Sequence, residues 1–324
     1  MVNRPFIFDT DGGVDDAQAL LLLIAHGVEP DIITTVFGNV SLEQASQNML
    51  ATLAVAAAGA NIQLHQGAAH PLEQPIIDAR NVHGDDGLGG APRPHVTQKP
   101  ASSDAVGVMI KTFRTAAAAG RKADILLIGP LTNLALALTR DPAIVGGIGR
   151  VTIMGATLFG RGNTTPAAEF NIYADPEAAQ IVFSAPLDMM IVPWEPCVSH
   201  AMTGEAVDAM FARLPRNQTA IFSEALARHL RNGVKRWRNI DQLRIVDPLA
   251  AAVVVDPGIV TKSLNASVQV SLAPGIARGM TVIDPSGRFG TPRFTLVEEV
   301  DAPRLHDLYA VSAAYSPQQA LETT

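Results

Sequence analysis

A single cysteine, Cys197, stands in 324 residues. No intrachain disulfide can form, and this chain alone cannot build a zinc site with two thiolates. Charge is scarce as well. Asp, Glu, Lys and Arg make up 17% of the residues, against roughly a quarter in ordinary soluble domains. Basic residues are the scarcer sign, 24 against 31 acidic, for a net charge of −7. That balance argues against non-specific binding to nucleic acid or to a membrane surface. No apolar run reaches the ~18 residues of a membrane span. Two phosphate-cradling patterns are missing, Gly-x-x-x-x-Gly-Lys-Ser/Thr and a Gly-x-Gly-x-x-Gly after a strand. The opening Met-Val-Asn-Arg-Pro runs straight into a strand-like segment without a signal peptide's apolar stretch, so a reducing, cytoplasmic setting is expected.

Apolar residues are 48% of the chain, enough for a large core. Short apolar runs alternate with longer helical patterns. Strands are expected at Phe6 to Phe8, Asp31 to Phe37, Asp124 to Ile128, Val151 to Met154, Asp188 to Val192, Ser267 to Leu272, Met280 to Ile283 and Phe294 to Glu298. Helices are expected at Ala17 to Ala25, from Ser41 to a stop at Gly59, and at Thr132 to Leu138, Pro176 to Ser184, Glu205 to Arg213, Asn217 to Leu230, Pro248 to Val255 and Ala302 to Tyr315. Ser41 and Gln44 have capping-box spacing. This alternation predicts an α/β fold: one open, Rossmann-like, mostly parallel sheet with helices on both faces. No repeat or linker divides the chain, so residues 1–324 are expected to form a single catalytic domain. Two long loops, Asp78 to Ser103 and Gly160 to Pro166, read as binding loops or lids.

The charge that exists is unevenly placed. Between Arg4 and Arg80 there is no Lys or Arg, yet the span holds nine carboxylates. Four of them, Asp9, Asp11, Asp15 and Asp16, crowd the junction of the first strand and first helix, where open α/β sheets bind ligands. A helix N-terminus stabilises negative charge by only ~0.3–1 kcal/mol, too little for four neighbours that raise one another's pKa. The expected counter-charge is a hard, oxygen-ligated cation, Ca²⁺ or Mg²⁺. The Gly12-Gly13 turn is expected to let Asp11 and Asp16 converge on it, with Asp15 pointing to a neighbouring place. Such a lobe disfavours phosphate substrates and suits a polyol or sugar.

The segment Asp9-Thr10-Asp11-Gly12-Gly13-Val14-Asp15-Asp16-Ala17 resembles the N-terminal signature of the inosine–uridine-preferring nucleoside hydrolases. Further resemblances follow in that family's order. They are Thr34-Thr35-Val36-Phe37-Gly38-Asn39, His83-Gly84-Asp85-Asp86-Gly87-Leu88-Gly89 and Gly129-Pro130-Leu131-Thr132-Asn133. Met154-Gly155, Ala168-Glu169-Phe170-Asn171-Ile172, Asp175-Pro176-Glu177-Ala178 and Asp247-Pro248 complete the series. The resemblance implies a Ca²⁺-dependent cleavage of ribonucleosides to ribose and free base. It implies that Asp11, Asp16 and Asp247 ligate the metal with the backbone carbonyl of Thr132, and that Asp11 is also the general base. It implies that Asp15, Asn39, Asn163, Glu169 and Asn171 hold the ribose, that Met154 packs near the sugar and that Asp9 supports the metal site from behind. A small-molecule nucleoside partner and a homodimer or homotetramer are implied too, with no nucleic acid and no membrane.

Glu169 and Asn171, two apart, are expected on one face of a strand or irregular loop, and Asp175 as a helix N-cap. One departure matters. Where a branch of the family carries a His thought to protonate the leaving base, this chain has Val246. His83, His229 and Trp237 are the candidates for base contact, Trp237 by stacking. Gly12 replaces the Pro of many relatives, and Gly is expected to allow the same turn with less rigidity. Two rivals accompany this reading. One is a non-catalytic or weakly active Ca²⁺-dependent nucleoside binder, motivated by Val246. The other is a haloacid-dehalogenase-type phosphatase with Asp9 as nucleophile.

Overall fold

A computed structural model describes residues 4–317. Its strands are β1 (Phe6–Thr10), β2 (Ile32–Thr35), β3 (Gln63–Gln66), β4 (Ala123–Leu127), β5 (Ile148–Met154), β6 (Asp188–Val192), β7 (Met202–Thr203), β8 (Gln242–Leu243), β9 (Val260–Val270), β10 (Thr281–Asp284) and β11 (Arg293–Val300). Nine of them form one sheet in the order β10-β9-β11-β6-β5-β4-β1-β2-β3, and β7 and β8 make a separate small ribbon. The seven strands from β11 to β3 run parallel. Only β9 runs antiparallel, pairing with β10 and β11. The fold is therefore the α/β architecture that the alternation of apolar runs predicts.

The centre of the sheet is apolar on both faces, as strands covered on two sides must be. Ile7, Ile125 and Leu127 pack into one core with the helices Ala105–Ala118, Thr132–Arg140 and Pro176–Ser184. Phe8 and Leu126 face the other core, which holds the helices Val14–Ala25 and Asp247–Val255 and Leu305 and Tyr309 of the helix Ala302–Ala313. Helix Val14–Ala25 is buried all round, from Val14 to Ile24. Its polar exceptions, Asp15, Asp16 and Gln18, cluster in its first turns.

This topology sets the position of the site. The chain leaves β1 for β2 on one side and later enters β4 on the other. The crevice at the carboxyl ends of β1 and β4 is such a switch point. The Asp11-to-Asp16 turn leaves the end of β1 directly into it.

Several elements differ from expectation. β3 (Gln-Leu-His-Gln) is too polar to read as a strand, and helix Ala105–Ala118 was not expected from pattern. The loop from Asp78 includes a single helical turn, Arg80–His83. β9 begins at Val260 rather than Ser267 because its first half is a solvent-facing edge rich in polar residues. Helix Gln218–Arg238 runs eight residues past Leu230 and so carries Trp237. The second helix stops at Ala57, in left-handed conformation (φ 47), not at Gly59. Ser41 caps it at Gln44 N, but the Gln44 side chain donates to Asn48, so the capping box is half formed.

Candidate active site

The aspartates at the end of β1 are held by an unusual turn. Asp16, three residues into helix Val14–Ala25, folds back to accept from the amides of Asp11, Gly12 and Gly13 at 3.2, 3.2 and 2.7 Å. The Thr10 hydroxyl donates to it as well. Gly12 sits at φ +71, and a Cβ there would lie 2.3 Å from the Cα of Ala45. Proline, fixed near φ −65°, cannot adopt this conformation. Gly12 is thus a different turn, not a looser version of a proline turn.

Asn39 holds the next layer. Its backbone amide donates to Asp11 Oδ2 at 2.7 Å. Its side-chain amide donates to Asp11 Oδ1 at 2.8 Å and Asp16 Oδ2 at 2.9 Å. Asp247 arrives from the start of the helix Asp247–Val255. One carboxylate oxygen each from Asp15, Asp16 and Asp247 lies within 4.8 Å of the others, and all three residues are buried.

No Lys or Arg among the described residues forms an ion pair with Asp9, Asp11, Asp15, Asp16 or Asp247. The consequence is electrostatic. Burial, then the like charge of Asp16, raises Asp11 well above the carboxylate range. Burial and the charges of Asp15, Asp16 and Asp11 do the same to Asp247. Burial and Asp15 raise Asp16, and burial pushes Asp15 up to about 6. Buried Asp15 Oδ1 has no hydrogen-bond partner among the described residues. Oxygen donors, crowding and an orphaned buried carboxylate oxygen fit a divalent cation, whose charge would let these groups ionise together. The cluster can therefore hold a metal ion.

Asp15 and Asp247 of this cluster reach the wall of a cavity of about 460 Å³, while Asp11 and Asp16 lie behind it. Asp15, Asn39, His83, Met154, Asn163, Glu169, Asn171 and Trp237 all line it, with Asp247. Glu169 accepts from the amides of Asn171 (2.9 Å), Ile172 (3.2 Å) and Ala156 (3.3 Å), yet burial still pushes it up to about 7. It caps the five-residue helix Phe170–Ala174, so neither the expected strand nor an irregular loop positions it and Asn171. Asn171 donates to the carbonyls of Ile128 and Met154 at 3.0 and 3.2 Å. Asn163 Oδ1 accepts from Phe170 N at 2.8 Å.

The sequence profile of the family described as inosine-uridine preferring nucleoside hydrolase matches residues 6–307. This chain belongs to that family. It is 38% identical over 297 residues to a non-specific ribonucleoside hydrolase, RihC, of Klebsiella pneumoniae, covering 90% of this chain and 92% of the relative. It is 35% identical over 315 residues to a pyrimidine-specific ribonucleoside hydrolase, RihA, of Salmonella agona, covering 96% and 98%. Among solved structures, a plant nucleoside hydrolase superposes with a TM-score of 0.86 at 28% identity, covering 96% of this chain and 99% of that one. A purine-preferring ribonucleoside hydrolase from Gardnerella vaginalis gives 0.85 at 25%, covering 96% and 98%. The chain is thus an N-glycosyl hydrolase.

Within this nucleoside hydrolase, several residues sit otherwise than the sequence suggests. Asp15, expected to point to a neighbouring place, forms a close trio with Asp16 and Asp247. Asn39 spends its side-chain donors on Asp11 and Asp16, leaving its oxygen for the cavity. Thr132 is fully buried, and its hydroxyl donates to Asp175 Oδ2 at 2.7 Å; Asp175 caps the next helix at Ala178 N. Asp9 is fully buried, accepting from Thr34 and from Asn133 (2.8 Å), and it fastens β1 to β2 and to the helix Thr132–Arg140. A residue so enclosed cannot attack a phosphoester, which removes the phosphatase rival.

The candidates for base contact divide. His83 is buried, and burial lowers its pKa to about 4. The Val14 amide donates to its Nδ1 at 3.1 Å, so the neutral ring carries its proton on Nε2. Its 3.5 Å approach to Asp15 is accordingly not an ion pair, and a neutral imidazole is a feeble proton donor. His229 Nε2 is bound to the carbonyl of Val82 at 2.9 Å, and His229 does not line the cavity. Trp237 lines it while half exposed, at 50%. Val246 does stand in the wall.

Further wall residues escape sequence reasoning, among them Ile128, Trp194, Arg238 and Arg244. Ile128 and Trp194 follow the carboxyl ends of β4 and β6. The strand-end rule could have flagged both. Arg244 had only its nearness to Asp247 as a signal.

Proposed function

We propose that this enzyme is a Ca²⁺-dependent ribonucleoside N-ribohydrolase that releases a free base and ribose. The observation that carries this is a cluster of buried, cation-free carboxylates opening into one cavity lined by amides, carboxylates and a half-exposed tryptophan. Asp11, Asp16, Asp247 and the Thr132 carbonyl would hold the ion. When bound, Ca²⁺ would supply the positive charge that acidifies a nearby water. Asp11 accepts the proton of the attacking water. Asp15, Asn39, Glu169, Asn163 and Asn171 hold the ribose hydroxyls, and Met154 packs against the sugar. As the glycosidic bond breaks, positive charge grows on the sugar ring. The surrounding carboxylates and amide oxygens stabilise it through fixed dipoles and charges. The substrate is a small nucleoside, and assembly as a homodimer or homotetramer goes with this reading.

The test is release of free base from the common ribonucleosides, with and without calcium chelation. Hydrolysis that calcium restores after chelation supports the proposal. Tight binding without turnover would support the rival nucleoside binder, and turnover indifferent to chelation would remove calcium.

A further inference from the structure

The proposed reaction leaves one demand unmet. The bond between C1′ and the base nitrogen must break, and its electron pair must go to the base. Val246 cannot protonate that base, the His83 Nδ1 is taken up in accepting from the Val14 amide, and His229 is outside the cavity. The wall holds two cations, Arg238 and Arg244.

Their surroundings differ. Arg238 is exposed, and water screens its charge. Arg244 is partly buried, and its guanidinium carbon lies 5.4 Å from the ring centroid of Trp194, itself a wall residue. Its Nε–H is buried and, among the described residues, has no hydrogen-bond acceptor. Nor does Arg244 pair with any carboxylate there, whereas Arg231 nearby is bound by both Asp208 and Asp241. An unpaired buried donor is costly unless a ligand satisfies it. A guanidinium fixed on an aromatic face is already oriented, so little freedom is lost when it binds.

We propose that Arg244 stabilises the departing nucleobase. The inference rests on the nucleoside hydrolase reading above. The C1′–N bond breaks with its electron pair on the base, which leaves as an anion delocalised onto a ring carbonyl oxygen. Arg244 donates hydrogen bonds to that oxygen and keeps its proton. The water oxygen bonds to C1′, its proton passes to Asp11, and the freed base takes a proton from solvent. Arg244 thus replaces proton donation by charge stabilisation, and it favours bases with a carbonyl, such as uracil and hypoxanthine, over adenine.

The experiment compares two substrates on the calcium-loaded enzyme. Uridine has a poor leaving group; 4-nitrophenyl β-D-ribofuranoside has a good one that needs no stabilisation. In Arg244→Met, kcat/KM for uridine should fall by about 10²-fold, the usual effect of losing one such donor. The nitrophenyl riboside should change by less than about threefold, with an unchanged melting temperature. Arg244→Lys keeps the charge but not the planar fork, and it should move the ratio of the two substrates in the same direction by less. Added guanidinium should restore uridine turnover to Arg244→Ala. Equal losses on both substrates in folded Arg244→Lys, or unchanged uridine turnover in Arg244→Met, would overturn the role of Arg244 while leaving the hydrolase reading intact. A wild-type enzyme inert on both substrates overturns the two together.

Discussion

Removing the proposed calcium ion should make the fold sensitive to pH in an unusual direction. Burial raises Asp9 from 3.8 to about 7, Glu169 from 4.5 to about 7 and Asp15 from 3.8 to about 6. Each folded value lies above the unfolded one. Between about pH 4 and pH 7 the folded chain therefore keeps protons that the unfolded chain has released, and stability falls as pH rises through that window. Asp9 alone shifts by about three units, or ~4 kcal/mol at 1.36 kcal/mol per unit. In a large domain each 1 kcal/mol moves the melting temperature by about 2–4 °C. About two of those units fall between pH 5 and pH 8, or ~2.6 kcal/mol, so Asp9 alone should make the chelated enzyme melt roughly 5–11 °C lower at pH 8 than at pH 5; the other raised carboxylates act in the same sense, and His83, which burial lowers to about 4, opposes them. The proposed calcium ion would compete with protons for the same oxygens, so calcium should raise the melting temperature more at pH 8 than at pH 5. At a thousandfold excess over Kd its effect is about 4 kcal/mol. Thermal melts at pH 5, 6, 7 and 8, with chelator or calcium, provide the assay. Equal or greater stability of the chelated protein at pH 8, or a calcium shift independent of pH, would refute the reasoning.

Asp11→Asn should lower kcat by ~10²–10⁴-fold if Asp11 is the base, seen in steady-state kinetics with uridine and inosine; near-normal turnover would remove that role. Gly38→Ala should cost at least as much, because the added Cβ would lie 2.0 Å from Asp11 Oδ2 at a φ of +156; an active Gly38→Ala would show that the placement of Asp11 is not critical. Trp237→Ala should weaken purine nucleosides by about three- to tenfold through lost stacking, spare uridine, and leave the melting temperature unchanged because the side chain is half exposed; equal losses on purines and pyrimidines would argue against stacking.

The parts of this enzyme legible in the sequence are those in which local composition and tertiary role agree. Ile125 to Leu127 reads as a strand buried on both faces because it is one. The aspartates beyond β1 announce a cation because no Lys or Arg lies within their stretch of chain. Polar β3 and the exposed half of β9 were illegible, since hydrogen bonding to neighbouring strands defines them rather than apolar pattern. The spacing of Glu169 and Asn171 pairs them, but it does not reveal the helical turn that Glu169 caps and Asn171 belongs to. Which aspartates face one another was not legible either. Asn39 grips Asp11 and Asp16, residues 28 and 23 positions before it in the chain, and Asp15 meets Asp16 and Asp247 only in the folded structure. Arg244 was invisible because its meaning depends on Trp194, fifty residues away in sequence.

The central claim is that the aspartates beyond β1, joined by Asp247, cage a divalent ion. Calorimetric titration of the chelated enzyme with calcium tests it most directly. One ion should bind per chain, with protons released on binding, and Asp247→Asn should weaken binding at least tenfold. Hydrolysis at full rate by a chain that takes up no calcium would contradict it.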